Sequence, residues 1–196
     1  MFIQQNLKTF KTNCQNCDEN PSIAITASTG KAACNINGTT LHSAFHLPLH
    51  GENMNCKTEL RGKELQNLQM KYKYLRVLIV DEISMVGRQT FEDLNVFLQQ
   101  IKNNQLPFGG IAILVIGDFF QLPPVKQASI FEKLVLNDPW FDFQLHELTE
   151  IVRQNGDPEF AELLNRMREG NETQDDIHVI ELLSETDTSD WPVDHC

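Results

Sequence analysis

Long apolar runs are missing from this sequence. The longest candidate, Ile111 to Ile116, has the length of a buried strand and falls far short of the ~20 residues that a membrane-crossing helix needs. Met1 to Phe10 is polar and carries one lysine, so no signal or transit peptide is legible and an intracellular protein is expected, nuclear if the source is eukaryotic. The five cysteines form no even framework, which excludes a disulfide scaffold and fits a reducing compartment. Cys14 and Cys17 make a CxxC, but Cys34 and Cys56 stand alone. No second pair completes a zinc site, and these residues read as ordinary thiols. Also absent from the 196 residues is GxxxxGK[ST], the loop whose amides and lysine cradle nucleotide phosphates. Its nearest approach is Ala27-Ser28-Thr29-Gly30-Lys31-Ala32. Here Ile25 stands where the first glycine belongs, and Ala32 where a hydroxyl would bind magnesium. That segment is no ATP cradle, although a strand-to-helix turn with free amides can still grip a nucleic-acid phosphate.

An excess of positive charge is lacking too, since the net charge is −11. The deficit is local. Residues 21–110 carry nine Lys/Arg against seven Asp/Glu, whereas residues 138–196 carry three Arg against sixteen Asp/Glu. Bulk charge therefore describes the C-terminal third and does not exclude a nucleic-acid partner for the rest. Hydrophobic content of 41% and charged content of 22% suit an ordinary globular fold with one sizeable core.

What the sequence does have is a pair of acidic signatures, each closing an apolar run. Val77-Leu78-Ile79-Val80 ends in Asp81-Glu82, and Ile111 to Ile116 ends in Gly117-Asp118-Phe119-Phe120-Gln121-Leu122-Pro123-Pro124. Such runs read as buried parallel strands that deliver carboxylates to the carboxyl edge of a sheet, where open α/β sheets bind ligands. An Asp-Glu pair there suits nucleotide hydrolysis: one carboxylate holds magnesium on the phosphates and its neighbour orients or deprotonates water. A glutamine ahead of two rigid prolines can contact the terminal phosphate and report its loss.

The remaining pattern is strand, helix, strand, helix, strand, which means a parallel sheet with helical crossovers. Strands are expected over Ser22–Ala27, Val77–Val80 and Ile111–Ile116. Helices are expected over Lys31–Ile36, Glu64–Tyr74, Arg88–Asn103, Gln127–Leu136, Pro158–Arg168 and Thr173–Leu183. Thr39–Phe45 reads as a compact element and Leu145–Leu148 as a further strand. In Arg88–Asn103, Phe91, Leu94, Leu98 and Ile101 share one face. Phe45, Phe119 and Phe120 are expected in the core, Trp140 and Phe141 at a turn, and His46 and His50 in solvent.

Taken in order and spacing, TASTGKAA, GTTLHSAF, VDEISMV, GDFFQLPPV and LTEIVRQ resemble the motifs of the Pif-type (petite integration frequency) DNA helicases, of the RecD-like branch of superfamily one. The resemblance runs from about Ile23 to Gly170. It implies an α/β, P-loop NTPase (RecA-like) parallel sheet with helices on both faces. Its implied activity is magnesium- and ATP-dependent 5′-to-3′ translocation on single-stranded DNA, with duplex unwinding in repair, recombination and genome maintenance. Carried over by residue, it gives Asp81 as magnesium ligand, Glu82 as catalytic base and Gln121 as γ-phosphate sensor, with Asp118 in the same nucleotide-facing motif. Arg153 is the arginine that reaches the γ-phosphate. Thr26, Ser28, Thr29, Gly30 and Lys31, and then Thr40, His42 and Ser43, are the DNA-contacting positions.

The same resemblance places the phosphate loop some tens of residues before Thr26 and a second RecA-like domain after Arg153. Neither is in the sequence. Residues 1–170 are accordingly expected to be an N-terminally truncated motor domain and residues 171–196 an acidic tail, with little ATPase activity from this chain alone. The alternative reading is a non-catalytic module that binds single-stranded DNA without a motor.

Overall fold

Val, Ile and Leu crowd three short segments because a strand buried on both faces has no polar side to show. In the computed structural model, which describes residues 20–49, 59–132, 136, 138–148 and 157–185, these segments pair in parallel. The strands are β1 (Ile23–Ala27), β2 (Thr39–Thr40), β3 (Val77–Asp81) and β4 (Ala112–Val115), in the order β2–β1–β3–β4. The register sets Ala27 opposite both Thr40 and Asp81, and Val80 opposite Val115. All four strands therefore end at one edge, with the two acidic segments side by side. The fold is α/β, as the alternation of elements requires.

Between the strands run α1 (Gly30–Asn35), α2 (Leu41–Phe45), α3 (Gly62–Lys71) and α4 (Arg88–Lys102). Ala24, Leu78 and Val80 point to one sheet face, joined by Ile113 and Val115. There they meet Phe45, Leu68, Leu94 and Leu98 in the main core. Each fully buried Leu or Phe contributes about 1.5–3 kcal/mol. Ala27, Ala33 and Ile79 are buried outside that cluster. Tyr72 is 2% exposed, stacks at 4.9 Å on Phe45 and spends its hydroxyl on the Ala44 carbonyl at 2.9 Å. That contact joins α2 to α3 without an unpaired polar group.

α4 carries the expected buried stripe together with Thr90 and Phe97. It closes at Asn103, whose φ of 48° is a left-handed conformation that asparagine tolerates better than most residues. At this end Lys102 Nζ donates to the carbonyls of Tyr72, Lys73 and Leu75 at 3.4, 2.9 and 3.2 Å. At the opposite end Arg88 donates to Asp138, to Glu92 at 2.6 Å and to the Ile130 carbonyl at 3.1 Å. A cation thus pins each end of the helix to a neighbouring segment.

Three expectations change. Residues 127–132 are not helical, because their polar groups are claimed elsewhere: Ala128 accepts from the Arg88 amide, Ser129 bridges Gly87, and Gln127 bonds Thr90. Leu145–Leu148 joins no sheet among the described residues, and Leu145 and Leu148 are exposed. Phe119 and Phe120 are exposed rather than core, although Phe119 packs edge-on against Phe131 and Trp140. Trp140 and Phe141 do sit in a turn, Pro139–Asp142, which Asp138 caps.

The chain divides into two units, 1–144 and 145–196. In the second, α5 (Pro158–Glu169) starts on Asp157, which accepts from the Phe160 amide, and α6 spans Gln174–Glu185. Arg166 forks onto Asp176 at 2.8 and 2.6 Å, and Thr173 adds its amide and hydroxyl. These bonds, Arg166 first, hold the Asp176 carboxyl well below the usual carboxylate range. The proposed boundary at 170/171 falls between these two linked helices.

Candidate functional site

β3 delivers Asp81 to the sheet edge, and the chain then turns sharply. Glu82 adopts φ 53° and ψ 49°, a left-handed conformation that costs an L-residue about 1–2 kcal/mol. The turn is held from both sides. Asp81 Oδ1 accepts from the Glu82 amide at 3.0 Å, and the Ile83 amide donates to the Ile116 carbonyl, also at 3.0 Å. Gly117 makes the second contact possible. A Cβ there would lie 2.9 Å from Ile83 N and 3.0 Å from Ile83 Cγ2.

Past Gly117 the loop is organised by Asp118. Its side chain accepts from the Phe120 amide at 3.0 Å, its carbonyl accepts from the Gln121 amide at 3.1 Å, and Gln121 Nε2 lies 3.5 Å from Oδ2. Asp118 thus orders the segment that presents Gln121, which is itself exposed.

The segment after β1 is tied to the same turn. The Ser28 amide donates to the Asp81 carbonyl at 3.2 Å. Thr29 caps α1 by accepting from the Ala32 amide at 3.2 Å, and Gly30 and Lys31 are exposed. Next to them, Thr40 caps α2: its hydroxyl accepts from the Ser43 amide and donates to Ser43 Oγ at 2.8 Å. His42 is half-buried on the same short helix. Thr26 is the exception. It has no exposed surface, and its hydroxyl donates to the Ile79 carbonyl at 2.8 Å. The expected contact from its side chain to nucleic acid is therefore replaced by a bond between β1 and β3. His46 is exposed but not free, since its Nδ1 lies 2.9 Å from Glu64.

These elements line an open cleft of about 230 Å³. Thr29, Lys31, Ala32 and Asn35 line it from α1 and its cap, Glu82, Ser84 and Met85 from the turn after β3, and Gln121 and Leu122 from the loop after β4. The volume is below the roughly 300–1,000 Å³ of small-molecule sites, which suits a phosphate-sized group better than a whole nucleotide. Ser84 is 4% exposed and its hydroxyl has no hydrogen-bond partner, and the Ser28 hydroxyl is likewise unpaired. A buried orphan hydroxyl costs about 1–3 kcal/mol.

The structure therefore brings Glu82, Gln121, Thr29 and Lys31 to one cleft. Asp81, Asp118, Thr40, His42 and Ser43 stand on adjoining segments and do not line it. Arg153 and His50 lie outside the described residues. Among the described residues no cluster of three His, Cys, Asp or Glu could hold a metal unaided. The sequence reading missed Asn35, Ser84, Met85 and Leu122. Asn35 had a signal, being four residues beyond Lys31 and so on the same side of α1. Ser84 and Met85 sat inside a recognised motif without an assigned role.

Comparison with known proteins gives this edge a context. A family model described as PIF1-like helicase matches residues 7–178. The ATP-dependent DNA helicase PIF1 of Emericella nidulans is 43% identical over 83% of this chain, which covers 22% of that protein. For the ATP-dependent DNA helicase RRM3 of Saccharomyces cerevisiae the identity is 35%, over 83% of this chain and 23% of the relative. The chain thus spans about a fifth of the length of the curated relatives it matches. Among solved structures, Candida albicans Pif1 helicase aligns with a TM-score of 0.72 and 33% identity, covering 94% of this chain and 41% of that one. Bacteroides Pif1 bound to single-stranded DNA aligns at 0.67 with 31% identity, over 90% of this chain and 43% of that one. The strand order, the two acidic motifs and the extent of these matches together show that the chain belongs to the PIF1-like helicase family.

Proposed function

We propose that this protein works as an ATP-dependent DNA helicase, to which the described residues contribute the carboxyl edge of the first motor domain. The carrying observation is the shared cleft. Glu82 and Gln121, suited to act on a phosphate and its attacking water, line it together with Thr29 and Lys31.

Magnesium, when bound, would offset charge on the phosphates. Asp81 fits it as a hard oxygen ligand, with Oδ1 already oriented by the Glu82 amide. One carboxylate with the phosphates completing the shell is the usual arrangement for this ion. Glu82, fixed by its left-handed turn, takes the proton of the attacking water. Gln121 hydrogen-bonds the terminal phosphate, and the Asp118-ordered loop moves when that bond is lost. Arg153 is assigned to the γ-phosphate on the same grounds of family motif. Ser28, Thr29, Gly30 and Lys31, with Thr40, His42 and Ser43, contact the DNA backbone, so that single-stranded DNA and duplex junctions are the substrates. A DNA substrate places the protein inside the cell.

The second reading is a DNA-binding module without a motor, in which the exposed Gly30 and Lys31 meet a strand with no nucleotide involved. Two measurements separate the readings. The chain alone is expected to bind a labelled single strand and to bind it less tightly with Lys31→Glu. Residues 23–144 are then exchanged into Candida albicans Pif1, an ATP-dependent DNA helicase. Strand-stimulated ATP hydrolysis that falls by at least about 100-fold with Glu82→Gln supports the motor. A chimera that binds DNA and nucleotide but turns over none supports the module.

A further inference from the structure

The edge opposite the acidic turns has its own chemistry. α3 ends there, β3 begins there, and α4 ends there on Asn103. The sequence contains no Asp or Glu between Glu64 and Asp81, and none between Asp93 and Asp118. These two carboxylate-free stretches supply Lys71, Lys73, Arg76 and Lys102. In a chain of net charge −11, four cations without a single acidic neighbour in sequence are a marked local reversal.

Their arrangement is ordered. Lys102 is turned inward onto the carbonyls of residues 72, 73 and 75, which fixes the turn and removes its acceptors from the surface. Arg76 is locked by its backbone: its amide donates to Ser22 and its carbonyl accepts from Ala112. The side chains of Lys71, Lys73 and Arg76 are left exposed, and among the described residues none of them pairs with a carboxylate. Between them stands Tyr74, 57% exposed, with Lys73 Nζ 5.3 Å from its ring centre. Cations interleaved with an open aromatic ring are what binds a phosphodiester backbone and stacks a base. A solvated surface of this chain would more often mix both signs, as α5 does with Glu159, Glu162, Arg166 and Arg168.

We infer that Lys71, Lys73, Tyr74 and Arg76 form a second nucleic-acid contact surface, distinct from the one at the carboxyl edge. This rests on the reading that the protein acts on DNA. Strands of five residues set the two edges about 16 Å apart, so a strand long enough to pass around the domain touches both. A strand of a few nucleotides reaches one.

Fluorescence anisotropy of the full chain with labelled single strands of about 4 and about 30 nucleotides tests it, each titrated across salt concentration. The triple substitution Lys71→Gln, Lys73→Gln, Arg76→Gln is compared with Lys31→Glu, and circular dichroism checks that both remain folded. The expected result is that the wild type binds the long strand more tightly than the short one. The triple variant loses that advantage, and its salt slope on the long strand falls by about 2, at roughly 0.7 per lost phosphate contact. Tyr74→Ala weakens the long-strand complex and Tyr74→Phe restores it. A triple variant with unchanged slope and unchanged length dependence, beside a Lys31→Glu variant that binds poorly, overturns this surface and leaves the carboxyl-edge reading intact. A wild type that binds neither strand overturns both.

Discussion

At the carboxyl edge the chain turns through Glu82 in a left-handed conformation and leaves the Ser84 hydroxyl unpaired, whereas at the amino edge one ammonium satisfies three carbonyls. The same helix spans both edges. α4 begins with Arg88 beside the acidic turn and ends with Lys102 under the basic one. The carboxyl edge, proposed as the site of chemistry, retains strain and open hydrogen-bonding capacity, which a bound phosphate or water can use. At the other edge Lys102 occupies the carbonyls of residues 72, 73 and 75, so that exposed side chains are left to make contacts. Reactivity and rigidity are thus separated along a helix of fifteen residues.

Four substitutions sharpen or break that contrast. The largest effect is expected from Arg88→Met, which leaves Asp138, 3% exposed, as an uncompensated buried charge. A loss of about 3–5 kcal/mol follows, read from denaturant unfolding, with Asp138→Leu in the same chain recovering most of it. Lys102→Met removes the donor shared by three carbonyls and should cost about 1.5–3 kcal/mol, with hydrogen exchange rising in residues 72–76. Gly117→Ala forces a Cβ against Ile83 and should cost about 1–3 kcal/mol by overpacking. The amide of Ile83 would then exchange faster, because its bond to Ile116 lengthens. The smallest change has the opposite sign. Glu82→Gly relieves the left-handed backbone and should raise stability by up to about 1 kcal/mol while removing the proposed base. Loss of stability on Glu82→Gly would mean that the carboxyl edge stores no strain at this residue.

The strands and α4 were legible because their periodicity is strong: Val77–Asp81 and Ala112–Val115 fall where the apolar runs lie. Residues 127–132 were not, because helix propensity there loses to bonds from Arg88 and Thr90, forty residues away in sequence and invisible to any local pattern. Phe119 and Phe120 misled for a related reason. Burial follows from where a strand ends, and β4 stops at Val115. Of the site, the motif residues Glu82, Gln121, Thr29 and Lys31 were readable and do meet at one cleft. Ser84 and Asn35 required coordinates, since nothing in their type marks them. Thr26 sits in the same motif as Lys31, yet strand alternation sends its side chain inward.

That buried hydroxyl of Thr26, together with the bond from Ser28 to Asp81 one step later, has a mechanical meaning. It fastens the turn of Ser28 to Lys31 and the turn of Asp81 and Glu82 into a single part. Within this domain the two cannot slide past each other to transmit a signal. Whatever displaces one pulls on the other, so that under the proposed function a change at the phosphate would reach the DNA-contacting turn through this shared edge.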